Sequence, residues 1–130
     1  MKKRILMFTA LMLCLAGCGG APGKENVTYQ KITAEEAKVM MDEQENVVIL
    51  DVREQDEYDG GHIPGAVLLP VGTIAEDTAA AVIPEKDAVV LVYCRGGNRS
   101  KTASAALAEL DYTQVYEFGG ILDWPYDIVQ

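Results

Sequence analysis

The chain has 130 residues, 49% of them hydrophobic, with 20 Asp and Glu against 11 Lys and Arg and a formal net charge of −9. That length predicts one globular domain and leaves no room for a second. So acidic a surface repels nucleic acid and anionic lipid, which removes nucleic-acid binding from the functions worth weighing.

Lys2, Lys3 and Arg4 form a basic head, Ile5 to Leu15 an apolar run, and Leu15-Ala16-Gly17 lead directly into Cys18, the layout of an export signal. The run is shorter than the roughly 20 residues of a spanning helix. "LAGC" resembles a bacterial lipobox. The resemblance implies a lipoprotein signal over residues 1–17, lipidation of Cys18 and attachment to the extracytoplasmic face of the cell membrane; an ordinary cleaved signal peptide is the alternative. Two acyl chains anchor a protein stably where one does not. Loss of the three basic residues takes the formal net charge from −9 to −12. Residues 18–28, with "GGAPGKENV" at their centre, read as a lipid anchor and flexible tether. Of the 3 cysteines, Cys14 leaves with the signal and Cys18 takes the lipid, so Cys94 is the single thiol of the domain at residues 29–130 and no internal disulfide forms.

The remaining chain alternates short β-rich runs with helical patterns, as an α/β domain does. A short strand is predicted around Tyr29 to Ile32, then a helix from a capping box of Thr33 and Glu36 through about Asp42. Val47 to Leu50 is an apolar run ending in Asp51, and Val67 to Leu69 is a strand stopped by Pro70. Thr73 to about Ala81 reads as helix. "AVVLVY", residues 88–93, is continuous and β-branched, as expected of a parallel strand buried on both faces. Arg99 or Ser100 to Leu110 is rich in Ala and Leu and therefore helical, and "QVYEF" is a last strand before "GGILDW".

This order puts Cys94 at the carboxyl end of a central strand, where open parallel sheets bind ligands and a helix N-terminus offers free N–H groups. The loop is "YCRGGNRSK". Gly96 and Gly97 permit positive φ, so that successive amides turn inward as an anion nest. Arg95, Arg99 and Lys101, with the helix N-terminus, are expected to lower the thiol pKa below its ordinary value of about 8.5.

Three chemistries use such a loop. Phosphoryl transfer to a cysteine uses a cradle one residue longer than the four, "RGGN", between Cys94 and Arg99. The tighter loop suits a sulfur carried on the cysteine better than a tetrahedral phosphate. Zinc asks for about four ligands, and the domain offers one cysteine and one histidine. Sulfur transfer needs one thiolate, no metal and no organic cofactor: the thiolate takes the outer sulfur of an anionic donor as a persulfide and passes it on.

Two blocks, "ILDVREQDEYDGGHIPGAVLLP" and "VLVYCRGGNRSKTASAALAELDYTQVYEFGGILDW", resemble those of a single-domain rhodanese, with its "GHIPGA" signature, "CxxGxRS" loop and "GG…W" ending. The resemblance implies a small α/β fold with a central parallel sheet and helices on both faces. It also implies a monomeric sulfurtransferase of the thiosulfate sulfurtransferase type, with a small anionic sulfur donor and a thiol or cyanide as acceptor. Cys94 is then the catalytic nucleophile, while Gly96, Gly97, Asn98 and Arg99 hold the persulfide and the donor. Arg95 sits at a variable position, where contact with donor oxygens and solvation of the rim both remain open. His62 reads as structural, Asp51 and Arg53 as a pair locking a turn, and Trp124 as packing in the closing segment. Asp111 stands where the family usually has glycine, and Asp tolerates the left-handed conformation that ends a helix. The rivals are a noncatalytic or redox-sensing module and a phosphatase or arsenate reductase on the related loop.

Overall fold

A computed structural model describes residues 28–130; the leader, Cys18 and the tether through residue 27 lie outside the described residues. The chain runs β1 (Gln30–Lys31), α1 (Ala34–Glu43), β2 (Val47–Asp51), α2 (Gln55–Asp59), β3 (Val67–Leu68), α3 (Glu76–Val82), β4 (Val89–Cys94), α4 (Asn98–Glu109) and β5 (Gln114–Gly120), with 3-10 turns at Val71–Thr73 and Ile121–Asp123. The strands form one sheet in the order β1-β5-β4-β2-β3, and every pairing is parallel. This is the α/β architecture expected.

β4 is central and its side chains alternate between two apolar layers. Val90, Val92 and Cys94 pack with Ala79 of α3 and with Ala103 and Leu107 of α4. Leu91 and Tyr93 pack on the opposite face with Ala37 of α1, Ile63, Phe118 and Trp124. Burial on both faces is why this strand is apolar throughout rather than alternating.

Local signals set the helix boundaries. The Glu36 amide donates to Thr33 Oγ1 at 3.1 Å, the N-terminal half of the capping box that opens α1. The expected helix from Thr73 is instead a 3-10 turn followed by α3, because Thr78 Oγ1 accepts from the Ala75 amide at 2.8 Å and donates to Thr73 O at 2.6 Å, capping a later start. At the other end of α4, Asp111 takes φ +70°, in place of the usual glycine.

α2 was not expected from the sequence. It is one short turn of charged residues without an apolar stripe, and its entry is held by the Glu54 amide donating to Glu57 Oε1 at 3.2 Å.

β5 carries the irregularity that matters most for the site. Val92 pairs with Glu117 but Cys94 pairs with Gly120, so β5 holds one extra residue, a bulge with Gly119 at φ +93°.

Candidate active site

Cys94 is the last residue of β4 and α4 begins four residues later at Asn98. Its side chain is 1% exposed. Gly97 takes φ +103° and is the N-cap residue of α4, which has no side-chain cap. The Gly97 amide instead donates to Cys94 Sγ at 3.0 Å, and Sγ lies 3.4 Å from Ser100 Oγ. The thiol thus occupies the place of a helix cap.

One expectation about this loop is corrected and another is narrowed. Only Gly97 of the glycine pair takes a positive φ; Gly96 does not, and a Cβ there would meet nothing within 4 Å. The thiol pKa is lowered as expected, and of the two causes expected the helix N-terminus leads rather than the neighbouring cations. Burial pushes the Cys94 pKa up, but the side-chain hydrogen bond shared with Ser100 and the backbone hydrogen bonds of Ser100, Gly97 and Arg99 outweigh it and leave the thiol below its ordinary value. Cations do not lead that balance: Arg95 and Lys101 are exposed, and Arg99 is engaged elsewhere.

Arg99 reaches α2, where its Nη1 and Nη2 donate to Glu57 Oε1 and Oε2 at 2.6 and 2.9 Å. These hydrogen bonds bring the Glu57 carboxyl down to about 2, although burial acts in the opposite direction. The sequence reading missed this pair because 42 residues separate its members. Glu57 does carry one signal, its place directly before Tyr58 in the first motif block.

The loop rests on β5. A Cβ on Gly120 would drive into the carbonyl of Arg95 and lie 2.7 Å from Gly96 N. The Leu122 amide donates to Arg95 O at 3.2 Å, fixing the same turn from beyond the strand. The double glycine of "GGILDW" therefore serves the loop: Gly119 makes the bulge and Gly120 permits the close approach. Asn98 and Gly96 are exposed on the rim. Beside them lies a cleft of about 380 Å³ lined by Arg53, Glu57, Gly61, Arg95 and Leu122 among others.

The residues read as structural are so placed. Asp51 is fully buried and accepts from Arg53 Nε at 3.0 Å, Arg53 Nη2 at 2.7 Å and Tyr93 Oη at 2.6 Å. Arg53 Nη2 also donates to Gly61 O at 2.7 Å, and the Ile63 amide donates to Tyr93 Oη at 3.1 Å. Burial, then the hydrogen bond to Asp51, raises the Tyr93 hydroxyl far above its ordinary range. His62 stacks on Tyr58 with ring centroids 3.7 Å apart, its Nδ1 lies 2.8 Å from Tyr58 O, and its backbone pairs with Val129. Trp124 packs tilted against Phe118 and edge-on to Tyr126 in the closing segment.

A thiol at a helix N-terminus beyond the carboxyl edge of a parallel sheet, gripped by amides in a four-residue loop, defines a class of cysteine-centred transfer site. Residues 33–125 match the family described as rhodanese-like domain. The chain is 39% identical over 74 residues to the thiosulfate sulfurtransferase PspE of Escherichia coli (strain K12), an alignment covering 57% of this chain and 70% of that protein. It is 33% identical over 108 residues to the putative sulfur carrier protein YrkF of Bacillus subtilis (strain 168), covering 82% of this chain but 57% of that relative. A solved structure described as rhodanese with anions from E. coli superposes with a TM-score of 0.60 at 32% identity, covering 64% of this chain and 96% of that one. The chain belongs to the rhodanese-like family.

Proposed function

We propose that the protein is a sulfurtransferase that moves sulfane sulfur from thiosulfate or a persulfide to cyanide or a thiol. The Cys94 thiolate attacks the outer sulfur of the donor. With thiosulfate, the new S–S bond forms as the old one breaks, and sulfite leaves with the bonding pair. The acceptor nucleophile then attacks the outer sulfur of the Cys94 persulfide and carries it away as thiocyanate or a new persulfide, and the thiolate returns.

The observation that carries this reading is the Gly97 amide 3.0 Å from a buried Sγ at the N-terminus of α4. That contact holds an anionic sulfur in place at the helix N-terminus. The amides of the loop support binding of a persulfide, the cleft beside Arg95 supports approach of the donor, and Arg99 acts by holding the loop to Glu57.

Intact-mass measurement before and after thiosulfate treatment tests the reading. The expected result is a gain of one sulfur atom that is absent in Cys94→Ala. A gain of the same mass on the variant overturns the assignment of the carrier.

The proposal includes tethering through a lipid on Cys18 on the outer side of a membrane, supported by the "LAGC" pattern. Cys18→Ser is expected to appear in the soluble fraction; a variant that still sediments with membranes refutes the tether.

A further inference from the structure

Behind the thiol lies a second ionisable side chain that sulfur transfer as described does not use. Glu117 of β5 is fully buried and, among the described residues, no Lys or Arg forms an ion pair with it. Its Oε1 accepts from Ser100 Oγ at 2.7 Å and from the Gly119 amide at 2.9 Å. Its Oε2 has no hydrogen-bond partner; among the buried side-chain polar atoms of the described residues only Ser104 Oγ, one turn beyond Ser100 on α4, shares that condition.

Ser100 joins this carboxyl to the nucleophile. Its single hydroxyl proton has acceptors at Gly97 O (3.0 Å), Gly119 O (3.3 Å) and Glu117 Oε1 (2.7 Å), and the shortest contact is to the carboxyl. With that proton on Glu117's side, the Ser100 oxygen accepts from the Cys94 thiol at 3.4 Å. The result is a buried, directional chain from Sγ through Oγ to Oε1.

Among the described residues no cation pairs with either group. β4 sets Val92 beside Glu117 in register, and α4 offers it the Ser100 hydroxyl. β1 presents Lys31, its register partner, whose side chain is exposed. Arg99 is committed to Glu57. A buried carboxylate without a counter-ion is strongly disfavoured, and a thiolate one hydroxyl away adds a like charge to the same pocket.

We propose that Glu117, acting through the Ser100 hydroxyl, shares a single proton with Cys94. As the S–H bond breaks, its proton passes to Ser100 Oγ while the Ser100 proton passes to Glu117 Oε1. The thiol and carboxylate become a thiolate and a carboxylic acid, with no change in net charge. The chain then runs in reverse, with Ser100 donating to the sulfur. Glu117 is in this sense a positioning residue for the proton, and it leaves the loop one negative charge to hold rather than two.

The inference takes Cys94 as the nucleophile but is measured without a sulfur donor, so it fails separately from the sulfurtransferase reading. The ultraviolet absorbance of the Cys94 thiolate is titrated in the full-length chain in detergent, as the difference from Cys94→Ala. Two groups that share a proton titrate as a coupled pair. The wild type is expected to gain thiolate in two steps separated by more than about one pH unit, and Glu117→Gln, which keeps the acceptor oxygen but takes no proton, in one. Ser100→Ala is expected to lose the lower step and Ser100→Thr to retain it. One identical step in the wild type and Glu117→Gln overturns the proposal. Should Glu117→Gln fail to fold, infrared spectroscopy of the wild type decides. A carboxylic-acid C=O band that persists through the lower thiolate step sustains the proposal, and one that vanishes before any thiolate appears refutes it.

Discussion

Tyr93 and Cys94 are consecutive residues of one strand, yet they end in polar networks of opposite character. Tyr93 points into the α1 and α2 face, where Asp51, Arg53, Gly61 and Ile63 satisfy one another with each charge paired. Cys94 points into the α3 and α4 face, where an anion-forming thiol, a hydroxyl with several acceptors and a carboxyl with a free oxygen meet. The first network has no proton left to place and is structural. The second has spare hydrogen-bonding capacity, and that spare capacity is what chemistry requires. A reactive site in so small a domain is thus the less satisfied of two adjoining polar clusters, braced by the more satisfied one.

The most severe break of this comparison is Cys94→Ala, expected to abolish sulfur loading measured by mass while leaving the thermal midpoint near that of the wild type. Gly120→Ala comes next, because its Cβ would collide with the Arg95 carbonyl. We expect thiosulfate turnover to fall at least about tenfold, equivalent to about 1.4 kcal/mol of lost transition-state stabilisation. Asp51→Ala strikes the closed network instead and leaves Arg53 buried without its partner. A loss of about 3–5 kcal/mol in urea unfolding is expected, and a loss below 1 kcal/mol would mean the network is not the brace described.

Between the two clusters runs the bridge from Arg99 to Glu57. Its folded carboxyl value, about 2, lies below the ordinary 4.5. The bridge therefore contributes its full stability above pH 4.5, and this is lost as the pH falls through the folded value. Urea midpoints measured along that window are expected to fall less steeply in Glu57→Gln than in the wild type; equal slopes would exclude the bridge as an acid-sensitive tie. The smallest effect is expected at Gly96→Ala, within about 0.5 kcal/mol of wild-type stability, since no neighbour approaches and its φ is not positive. Gly97→Ala, at φ +103°, supplies the contrast.

Much of the fold is legible from local pattern. β4 reads from its unbroken β-branched run, α1 from its capping box, and the end of α4 from Asp111. The site is legible as far as the loop itself, because Cys94 and Gly97 lie three residues apart in the chain; the part played by Ser100 was not read. The rest depends on register between distant elements. Nothing near Arg99 in sequence indicates that it pairs with Glu57, and α2 has no apolar stripe to announce itself. Glu117 did leave a trace: an acidic residue between Tyr116 and Phe118 in a strand flanked by two others has no solvent to face. Of the two causes read for the thiol's acidity the helix N-terminus leads and the cations grouped in sequence do not, because proximity along the chain says little about where long side chains end.

The bulge in β5 also has a consequence for how the protein folds. β5 is the last strand in the chain but lies between β1 and β4 in the sheet, so its insertion joins the earliest strand to a later one and is the most non-local step of assembly. Until it inserts, the Arg95 carbonyl lacks its seat, Ser100 lacks the carboxyl behind it, and Cys94 is an ordinary thiol. The change in alkylation rate of Cys94 during refolding is therefore a built-in clock for the docking of that strand.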